Sequence, residues 1–426
     1  MISTVYIAKT VYGGDGLGRL GDGRVVFVPG AWAGEQVRAE IVEEKRHFVR
    51  ARLVEVVEPS ADRLSSAQVA ADLPGGSLPG MVYAALSRRG ERAAKELQLR
   101  EFFSRARIAV PAFVSQPAPP EAGSSLHYRN KVVYHFARGG RSPSARAIPV
   151  GYRMEPSHEI VDVPSDPLAR PEINAALPGI RRSVLQLLTT GPEAIRRDTE
   201  RKANVTVRWT RKTGVKWWLG EAPKGLFLKE TTCGLDFEVP ADGFYQVNPE
   251  VGEALARAVA DEYARGAAQA PDILDLYCGV GVFGLCCLKR APSGARLVGV
   301  ESGRSAADCA KRNAAGQGAA DARFFAGQVG RSLRRLSAGP RTTVVVDPPR
   351  GGLEPGVAKW LARSAAGRIF YVSCDPATLM RDLREIARAY EVESVRLFDM
   401  FPRTARFETL VVLRPRGTVE GKVERG

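Results

Sequence analysis

The sequence predicts an α/β protein in three parts: a small N-terminal β-barrel, a central α+β domain and a C-terminal Rossmann-like domain. Two observations support this order. Short β-rich segments separated by glycines fill the chain up to residue 58, and buried strands alternate with helices after residue 248. Alternation of this kind is typical of a parallel sheet covered by helices. We therefore place the domains at 1–58, 59–248 and 249–426.

The first domain has the pattern of a nucleic-acid-binding barrel. Three segments have the composition of strands, at 25–28, 35–42 and 51–57. Eight glycines between residues 13 and 34 separate them, as the tight turns of a barrel require. Small barrels of this type bind oligonucleotides. A β-adaptor without a ligand is the alternative.

The central region has basic and aromatic side chains in alternation. A basic amphipathic helix is predicted from Ser87 to Ala109, and strands at 132–137, 205–209, 215–219 and 226–229. The last strands carry a patch of Arg208, Trp209, Arg211, Lys212, Lys216, Trp217 and Trp218. Such a patch can hold phosphates and stack bases, which favours RNA binding. A solvated face over a tryptophan core is the alternative.

Composition narrows the class of partner and the compartment. The 426 residues carry a formal charge of +15 with 44% hydrophobic residues, and the pI is about 9.7. Basic side chains that neutralise phosphates release counterions, so a nucleic acid is the expected partner. No apolar run has membrane-spanning length, and six cysteines without a C-x-x-C pair predict neither a disulfide framework nor a zinc site. We expect a cytoplasmic protein with reduced thiols and no membrane contact.

The C-terminal domain contains a glycine loop suited to an adenosyl ligand. Asp275-Leu-Tyr-Cys-Gly-Val-Gly281 connects a buried strand to a helix, and the glycines allow close approach of the backbone to a ligand. Glu301 ends the next strand, where its carboxylate can accept hydrogen bonds from both ribose hydroxyls. The spacing differs from the dinucleotide pattern G-x-G-x-x-G. S-adenosylmethionine, which has no pyrophosphate, fits it better.

A rigid turn follows a later strand. Asp347-Pro-Pro-Arg-Gly-Gly352 has two prolines that fix the backbone, and such a turn can hold a planar base edge near a sulfonium. Enzymes that methylate exocyclic nitrogens use a similar turn, so this motif leaves the target atom open.

Cys374 indicates the target atom. It lies between a strand at 367–372 and a helix that Pro376 opens, with Asp375 as the N-cap. The positive end of the helix dipole is expected to favour the thiolate. A nitrogen needs no covalent help, whereas carbon 5 of a pyrimidine becomes nucleophilic only after a thiolate adds to carbon 6. Cys374 is therefore a candidate nucleophile, and a buried structural cysteine is the alternative.

A carboxylate supplies the second candidate catalytic group. Glu408 begins an apolar strand within Phe401-Pro-Arg-Thr-Ala-Arg-Phe-Glu408. A carboxylate partly shielded at this position can remove the carbon 5 proton. An ordinary acid at the edge of a strand is the alternative.

Together these motifs resemble the RNA uridine-5-methyltransferases, and the resemblance spans nearly the whole chain. Residues 12–19 and 25–30 are similar to the family's N-terminal TRAM barrel, an OB-like fold, and residues 128–131 and 151–158 to its central domain. Phe244-Tyr-Gln-Val-Asn248 is similar to the segment whose glutamine contacts the methyl donor.

The resemblance implies a complete assignment of the site. S-adenosylmethionine is expected to contact Gln246, Tyr277, Glu301 and Asp347, with Cys374 as nucleophile and Glu408 as proton acceptor. The product is 5-methyluridine in RNA, and the TRAM barrel favours 23S ribosomal RNA over tRNA. A tRNA uridine-5-methyltransferase, an RNA cytosine-5-methyltransferase and a non-catalytic RNA-binding protein are the alternatives. We expect a monomer.

Two departures from the family pattern matter. Many TRAM-bearing members hold an iron–sulfur cluster on four cysteines, but Pro74-Gly-Gly-Ser77 and Asp166 stand at cysteine positions here. No [4Fe–4S] cluster and no other metal is expected without those thiolates. Arg406 also replaces a histidine that is common two residues before the catalytic glutamate.

Overall fold

A computed structural model describes residues 2–73, 76–116, 125–136, 148–154, 157–190, 192–193, 197 and 203–417. Its barrel and its C-terminal sheet, which is mostly parallel, confirm the predicted fold class. Residues 74–75 of the substituted cysteine motif and residue 137 of a predicted strand lie outside the described residues.

The N-terminal barrel consists of five strands in the order β1-β2-β3-β5-β4. They are β1 (Ile2–Thr10), β2 (Gly16–Arg19), β3 (Val25–Val28), β4 (Gln36–Glu44) and β5 (Phe48–Glu58). Alternate side chains of each strand point into the barrel, and Val5, Ile7, Val26 and Val49 are buried there. The pattern predicted β3, β4 and β5 but not β1 and β2.

The central region contains a five-stranded antiparallel sheet in the order β11-β10-β7-β8-β9. Its strands are β7 (Lys131–Phe136), β8 (Val150–Arg153), β9 (Ile160–Asp162), β10 (Asn204–Thr210) and β11 (Gly214–Leu219). An amphipathic helix, α3 (Pro171–Thr189), buries Ile173, Leu177 and Val184 against one face of the sheet. Sequence reasoning missed this helix.

Other segments of the region 59–248 pack on the C-terminal domain. They are α2 (Arg88–Ala106), β6 (Phe113–Gln116) and the hairpin of β12 (Phe227–Thr232) and β13 (Leu235–Pro240). Helix α1 (Ser66–Asp72) instead packs its Val69 against a small cluster that includes Met81 and Tyr128. Strand β6 pairs with the edge of the C-terminal sheet. Leu99 and Phe103 of α2 join the core of that sheet, as does Phe237 of the hairpin. The region predicted as one central domain thus contributes to the core of the C-terminal sheet as well as to a core of its own.

The C-terminal sheet contains eight strands among the described residues, in the order β16-β15-β14-β17-β18-β20-β19-β6. Its own strands are β14 (Asp272–Leu276), β15 (Leu297–Glu301), β16 (Ala322–Ala326), β17 (Thr342–Val346), β18 (Arg368–Ser373), β19 (Tyr390–Phe398) and β20 (Glu408–Pro415). The helices that cover it are α4 (Pro249–Gly266), α5 (Val282–Leu288), α6 (Arg304–Gly316), α7 (Val329–Ser332), α8 (Val357–Arg363) and α9 (Pro376–Ile386).

The order of the strands places the site. Strands β14 to β18 run parallel, and the chain order reverses beside β14, where a crevice forms at the carboxyl ends of the strands. Strand β20 is antiparallel to β18, with Ser373 opposite Thr409. The start of β20 therefore meets the end of β18, which brings Glu408 to the same edge of the sheet as Cys374.

The predicted basic and aromatic patch is not one continuous surface. Trp209 and Trp218 are buried, and Arg208 is 1% exposed because its guanidinium donates to the carbonyl oxygens of Pro240, Ala241 and Gly243. Arg211 and Lys212 form ion pairs with carboxylates, while Trp217 is 38% exposed. Three of the seven residues of the patch are therefore protein core, including two tryptophans, as the alternative interpretation held.

Candidate active site

A cavity of about 610 Å³ opens at the carboxyl edge of the C-terminal sheet. All six predicted site residues line it: Gln246, Tyr277, Glu301, Asp347, Cys374 and Glu408. They come from a loop before α4, from the ends of four parallel strands and from the start of a fifth strand, the antiparallel β20. A single concave site with convergent polar groups is the usual form of a small-molecule and catalytic site.

The glycine loop after β14 forms one wall of the cavity. Tyr277, Gly279 and Gly281 adopt positive φ angles of 63°, 55° and 89°, so the chain turns sharply before α5 begins. A Cβ at Gly279 would meet no protein atom within 4 Å, which leaves open space beside that backbone. Asp275 stabilises the turn because its Oδ2 accepts a hydrogen bond from the Gly284 amide at 2.9 Å.

Glu301 joins the ends of two neighbouring strands. Its Oε2 accepts from the Gly279 amide at 3.1 Å, and its Oε1 accepts from the Gly303 amide at 2.6 Å. Each carboxylate oxygen can accept a second hydrogen bond. Oε1 accepts its second hydrogen bond from the Ser302 hydroxyl at 3.0 Å, whereas Oε2 keeps acceptor capacity for a ribose hydroxyl.

Gln246 is held from its backbone. Its carbonyl accepts from Asn130 Nδ2 at 3.3 Å, and Asn248 caps α4 by accepting from the Val251 amide at 3.3 Å. The segment is therefore fixed between the central sheet and the C-terminal domain. Phe244, in the same segment, is 68% exposed and also lines the cavity; sequence reasoning assigned it no role.

The residues of this wall fit S-adenosylmethionine. Burial, and secondly the charge of Glu301, raises the pKa of Asp347 to about 7. An acid in this condition gains from a positive ligand, because an opposite charge offsets the cost of burial. The open glycine backbone and the oriented carboxylate of Glu301 suit the adenosyl group. The carboxylate of Asp347 suits the positive charge of the sulfonium.

Cys374 lies half-buried where β18 ends and α9 begins. Asp375 caps α9, as predicted, by accepting from the Ala377 and Thr378 amides at 3.0 and 3.3 Å. Burial, and then the charges of Glu408 and Asp347, raises the pKa of the Cys374 thiol to about 12. The prediction that the helix N-terminus favours the thiolate is therefore wrong for this arrangement, because the cap occupies the free amides and burial dominates.

Glu408 has the environment of a group that handles protons. It is 3% exposed, and its Oε2 has no hydrogen-bond partner within the part of the chain that the structure describes. Burial raises its pKa well above the ordinary value, and the charge of Asp347 adds to this, whereas Arg350 lowers it. A buried acceptor without a partner costs free energy, so its retention at a cavity indicates a functional contact.

Arg350 and Arg406 also line the cavity, and sequence reasoning gave neither a role in the site. The charge of Arg350 lowers the pKa of both Cys374 and Glu408. The sequence signal for Arg350 was its position directly after the two prolines of the rigid turn. Arg406 was noted only as a departure from the family pattern.

Asp166, at the position of a cluster cysteine, holds a network of protein hydrogen bonds. It is fully buried, and its Oδ2 accepts from Tyr152 at 2.5 Å and from Tyr134 at 3.4 Å. Its Oδ1 accepts from the Leu168 amide at 2.8 Å. Among the described residues, no group of three or more His, Cys, Asp or Glu side chains could hold a metal ion. The absence of an iron–sulfur cluster stays a prediction.

Comparisons with known proteins agree on the class of this chain. The family model described as tRNA (Uracil-5-)-methyltransferase matches residues 228–416, and the TRAM domain model matches residues 4–54. The 23S rRNA (uracil(1939)-C(5))-methyltransferase RlmD of Chromohalobacter salexigens is 30% identical, over 96% of this chain and 90% of that protein. An uncharacterized RNA methyltransferase of Streptomyces coelicolor is also 30% identical, over 96% and 92%.

A solved structure shares the whole architecture. The tRNA (uracil-54, C5)-methyltransferase of Pyrococcus abyssi, in complex with S-adenosyl-L-homocysteine, superposes with a TM-score of 0.69. It is 22% identical and covers 96% of this chain and 99% of its own. In the described parts of the chain, no helix has the length and apolarity to cross a membrane.

Proposed function

The chain belongs to the S-adenosylmethionine-dependent RNA uracil-5-methyltransferases, and we propose that it methylates carbon 5 of a uridine in 23S ribosomal RNA through a covalent bond from Cys374. The observation that carries this proposal is the shared cavity of Cys374 and Glu408. A nucleophilic thiol and a buried carboxylate with a free oxygen are what addition to carbon 6 and proton removal from carbon 5 require.

S-adenosylmethionine supplies the electrophilic methyl group when bound, and Gln246, Tyr277, Glu301 and Asp347 would hold it. The Cys374 thiol first gives its proton to solvent, and the positive charge of Arg350 favours the thiolate that remains. The thiolate then forms a bond to carbon 6, and the electron pair of the C5–C6 double bond becomes available at carbon 5.

Proton removal completes the reaction. When the methyl group forms its bond to carbon 5, its bond to the sulfonium sulfur breaks and S-adenosylhomocysteine is the other product. Carbon 5 then carries both the methyl group and its original hydrogen. The Glu408 carboxylate removes that hydrogen as a proton, the electron pair restores the C5–C6 double bond, and the bond from sulfur to carbon 6 breaks. Cys374 leaves as the thiolate, and Glu408 passes its proton to solvent. The target uracil is unstacked before this sequence, at a cost of a few kcal/mol.

The choice of 23S ribosomal RNA is supported by the Chromohalobacter relative and by the TRAM domain. A tRNA target is the second candidate, because the Pyrococcus enzyme with the same architecture acts on tRNA. Either RNA suits the charge of the chain: residues 59–248 contain 27 Lys and Arg against 19 Asp and Glu, and residues 249–426 contain 27 against 20. Most of the phosphate contact is expected from these two parts.

A deletion strain tests both the reaction and the target. Ribosomal RNA and tRNA from the strain are separated, digested and analysed for 5-methyluridine by mass spectrometry. The 23S fraction should lose one 5-methyluridine, which returns with the wild-type gene and with Cys233→Ala but not with Cys374→Ala. Cys233 is the matched control because it is a half-buried thiol that does not line the cavity. Loss from tRNA alone, or loss of 5-methylcytosine, would overturn the assignment.

A further inference from the structure

Tyr12 places a side chain of the N-terminal barrel next to the active site. It lies two residues after the end of β1, and its ring packs edge-on against Phe102 of α2 at 5.7 Å between centroids and against Phe407 at 5.8 Å. Phe407 is fully buried and precedes Glu408 in the chain. A residue of the N-terminal domain thus packs against the segment that bears the proposed base.

The hydroxyl of Tyr12 belongs to a polar cluster beside the nucleophile. Arg406 Nη1 donates to the Tyr12 hydroxyl at 2.7 Å and to Asp375 Oδ2 at 3.1 Å. The Tyr12 hydroxyl also lies 3.5 Å from Asp375 Oδ2. Asp375 follows Cys374 in the chain, and its other oxygen caps α9. A chain of contacts therefore leads from the barrel to the residue next to the thiol.

The loop that bears Tyr12 is held against the C-terminal domain. Gln98 of α2 is 2% exposed, and its Nε2 donates to the carbonyl oxygens of Thr10 and Val11 at 3.2 and 3.1 Å. Gly14 has a φ angle of 98°, and a Cβ there would come within 2.8 Å of the Val82 side chain. The loop therefore packs against Val82 at a distance that only a glycine allows. This contact and the hydrogen bonds from Gln98 together fix the position of Tyr12.

The barrel has no excess of basic over acidic residues that would attract RNA phosphates. Residues 1–58 contain eight Lys and Arg and eight Asp and Glu, in contrast to the basic excess of the other two domains. Several basic side chains form ion pairs with acids of the barrel itself: Arg24, Arg38, Lys45, Arg50 and Arg52. What the barrel adds at the catalytic edge is the fixed side chain of Tyr12.

We infer that Tyr12 and Arg406 are positioning residues, through which the barrel holds Asp375 and hence Cys374 in the geometry for attack. An arginine Nη carries two hydrogens and can donate to two acceptors at once, and Nη1 of Arg406 does so here to a hydroxyl and a carboxylate. The barrel then completes the active site as well as contacting RNA. This inference rests on the proposed role of Cys374 as nucleophile.

The first test compares Tyr12→Phe with Tyr6→Phe. Tyr12→Phe keeps the ring packing and removes only the hydroxyl, while Tyr6 is 62% exposed on the same barrel and serves as the control. The substrate is 23S rRNA purified from the deletion strain. Tyr12→Phe should lower kcat about tenfold, as the loss of one hydrogen bond to a charged group implies, with the KM for RNA unchanged. An unchanged kcat, or a raised KM alone, would overturn the positioning role.

The second test needs no RNA and no methyl transfer, so it stands even if the proposed reaction fails. The rate at which iodoacetamide alkylates Cys374 at pH 9 is measured by peptide mass spectrometry. Arg406→Ala should slow this alkylation severalfold, since the charge of Asp375 beside the thiol is no longer offset. Arg406→Lys retains the charge and should react at nearly the wild-type rate. Equal rates for Arg406→Ala and wild type would refute the inference.

Discussion

The affinity for S-adenosylmethionine should fall as the pH drops below 7, because Asp347 must be ionised to attract a cation. Burial and the nearby Glu301 raise the pKa of Asp347 from 3.8 to about 7. The carboxylate therefore forms only as the pH rises through that value. The sulfonium and the ammonium of the ligand outnumber its one carboxylate, so the ionised form of Asp347 binds it best. Affinity should rise with pH over the same window.

The size of the effect follows from the pKa. If only the ionised form binds, the apparent Kd increases by a factor of one plus ten to the power of pKa minus pH. That factor is about 11 at pH 6, about 2 at pH 7 and about 1.1 at pH 8. Between pH 8 and pH 6 the affinity should thus fall about tenfold, and binding at pH 6 should release close to one proton.

Isothermal titration calorimetry measures both quantities. Titrations from pH 5.5 to 8.5 give the affinity, and two buffers with different ionisation enthalpies give the number of protons released. Asp347→Asn should bind weakly with no slope below pH 7. Glu301→Gln should also bind weakly, but it should keep a slope that lies at lower pH, because the loss of the Glu301 charge lowers the pKa of Asp347. Burial raises the pKa of Asp275 to about 8, so Asp275→Asn is a second control that should keep the slope. A tenfold slope in Asp347→Asn, or none in the wild type, would refute the reasoning.

Three further predictions concern the base, the replaced cysteine and the cluster. Glu408→Gln should accumulate a covalent RNA complex on denaturing gels, since an amide cannot take the carbon 5 proton. The complex should not form in the double variant that also carries Cys374→Ala. Normal turnover by Glu408→Gln would mean that another group is the base. Asp166→Ala should lower the free energy of unfolding, measured in urea, by about 2–4 kcal/mol, because the buried hydroxyls of Tyr134 and Tyr152 lose their acceptor. Asp166→Asn keeps one acceptor oxygen, so an equal decrease in the free energy of unfolding of this variant would contradict the explanation. The purified protein should be colourless, and stoichiometric iron with broad visible absorbance would show that other cysteines bind a cluster.

Local patterns predicted most of what brings the site together. The glycines after Asp275 require a turn at the end of a buried strand, and Pro376 with its cap requires the start of a helix. Parallel strands end at one edge of a sheet, so residues at strand ends meet there whatever their distance in sequence. Two site residues needed more than this rule, because Gln246 lies in a loop before α4 and Glu408 begins a strand. Gln246 was placed by the family resemblance. Glu408 reaches the same edge because β20 runs antiparallel to β18, which the sequence pattern did not predict.

Roles that depend on partners far away in the chain were not predictable. Arg208 was expected at an RNA surface, but carbonyl oxygens more than 30 residues away bury its guanidinium. Asp166 was recognised only as a missing cysteine, because its two tyrosine partners lie on other strands. Buried polar groups need partners, yet a sequence does not say which residues provide them.

The ionisation of Cys374 shows why a correct local structure gave an incorrect electrostatic prediction. The side chain that makes the helix start recognisable, the Asp375 cap, is also the group that occupies the free amides and adds a negative charge next to the thiol. An argument from the helix dipole considers only the free amides at the start of the helix. It does not include the Asp375 carboxylate that accepts hydrogen bonds from those amides. The charge of Asp375 is offset by Arg406, which Tyr12 of the barrel holds in turn. The reactivity of the thiol therefore depends on residues some 30 and 360 positions away, and the distant Tyr12 acts at the site only because the barrel packs there.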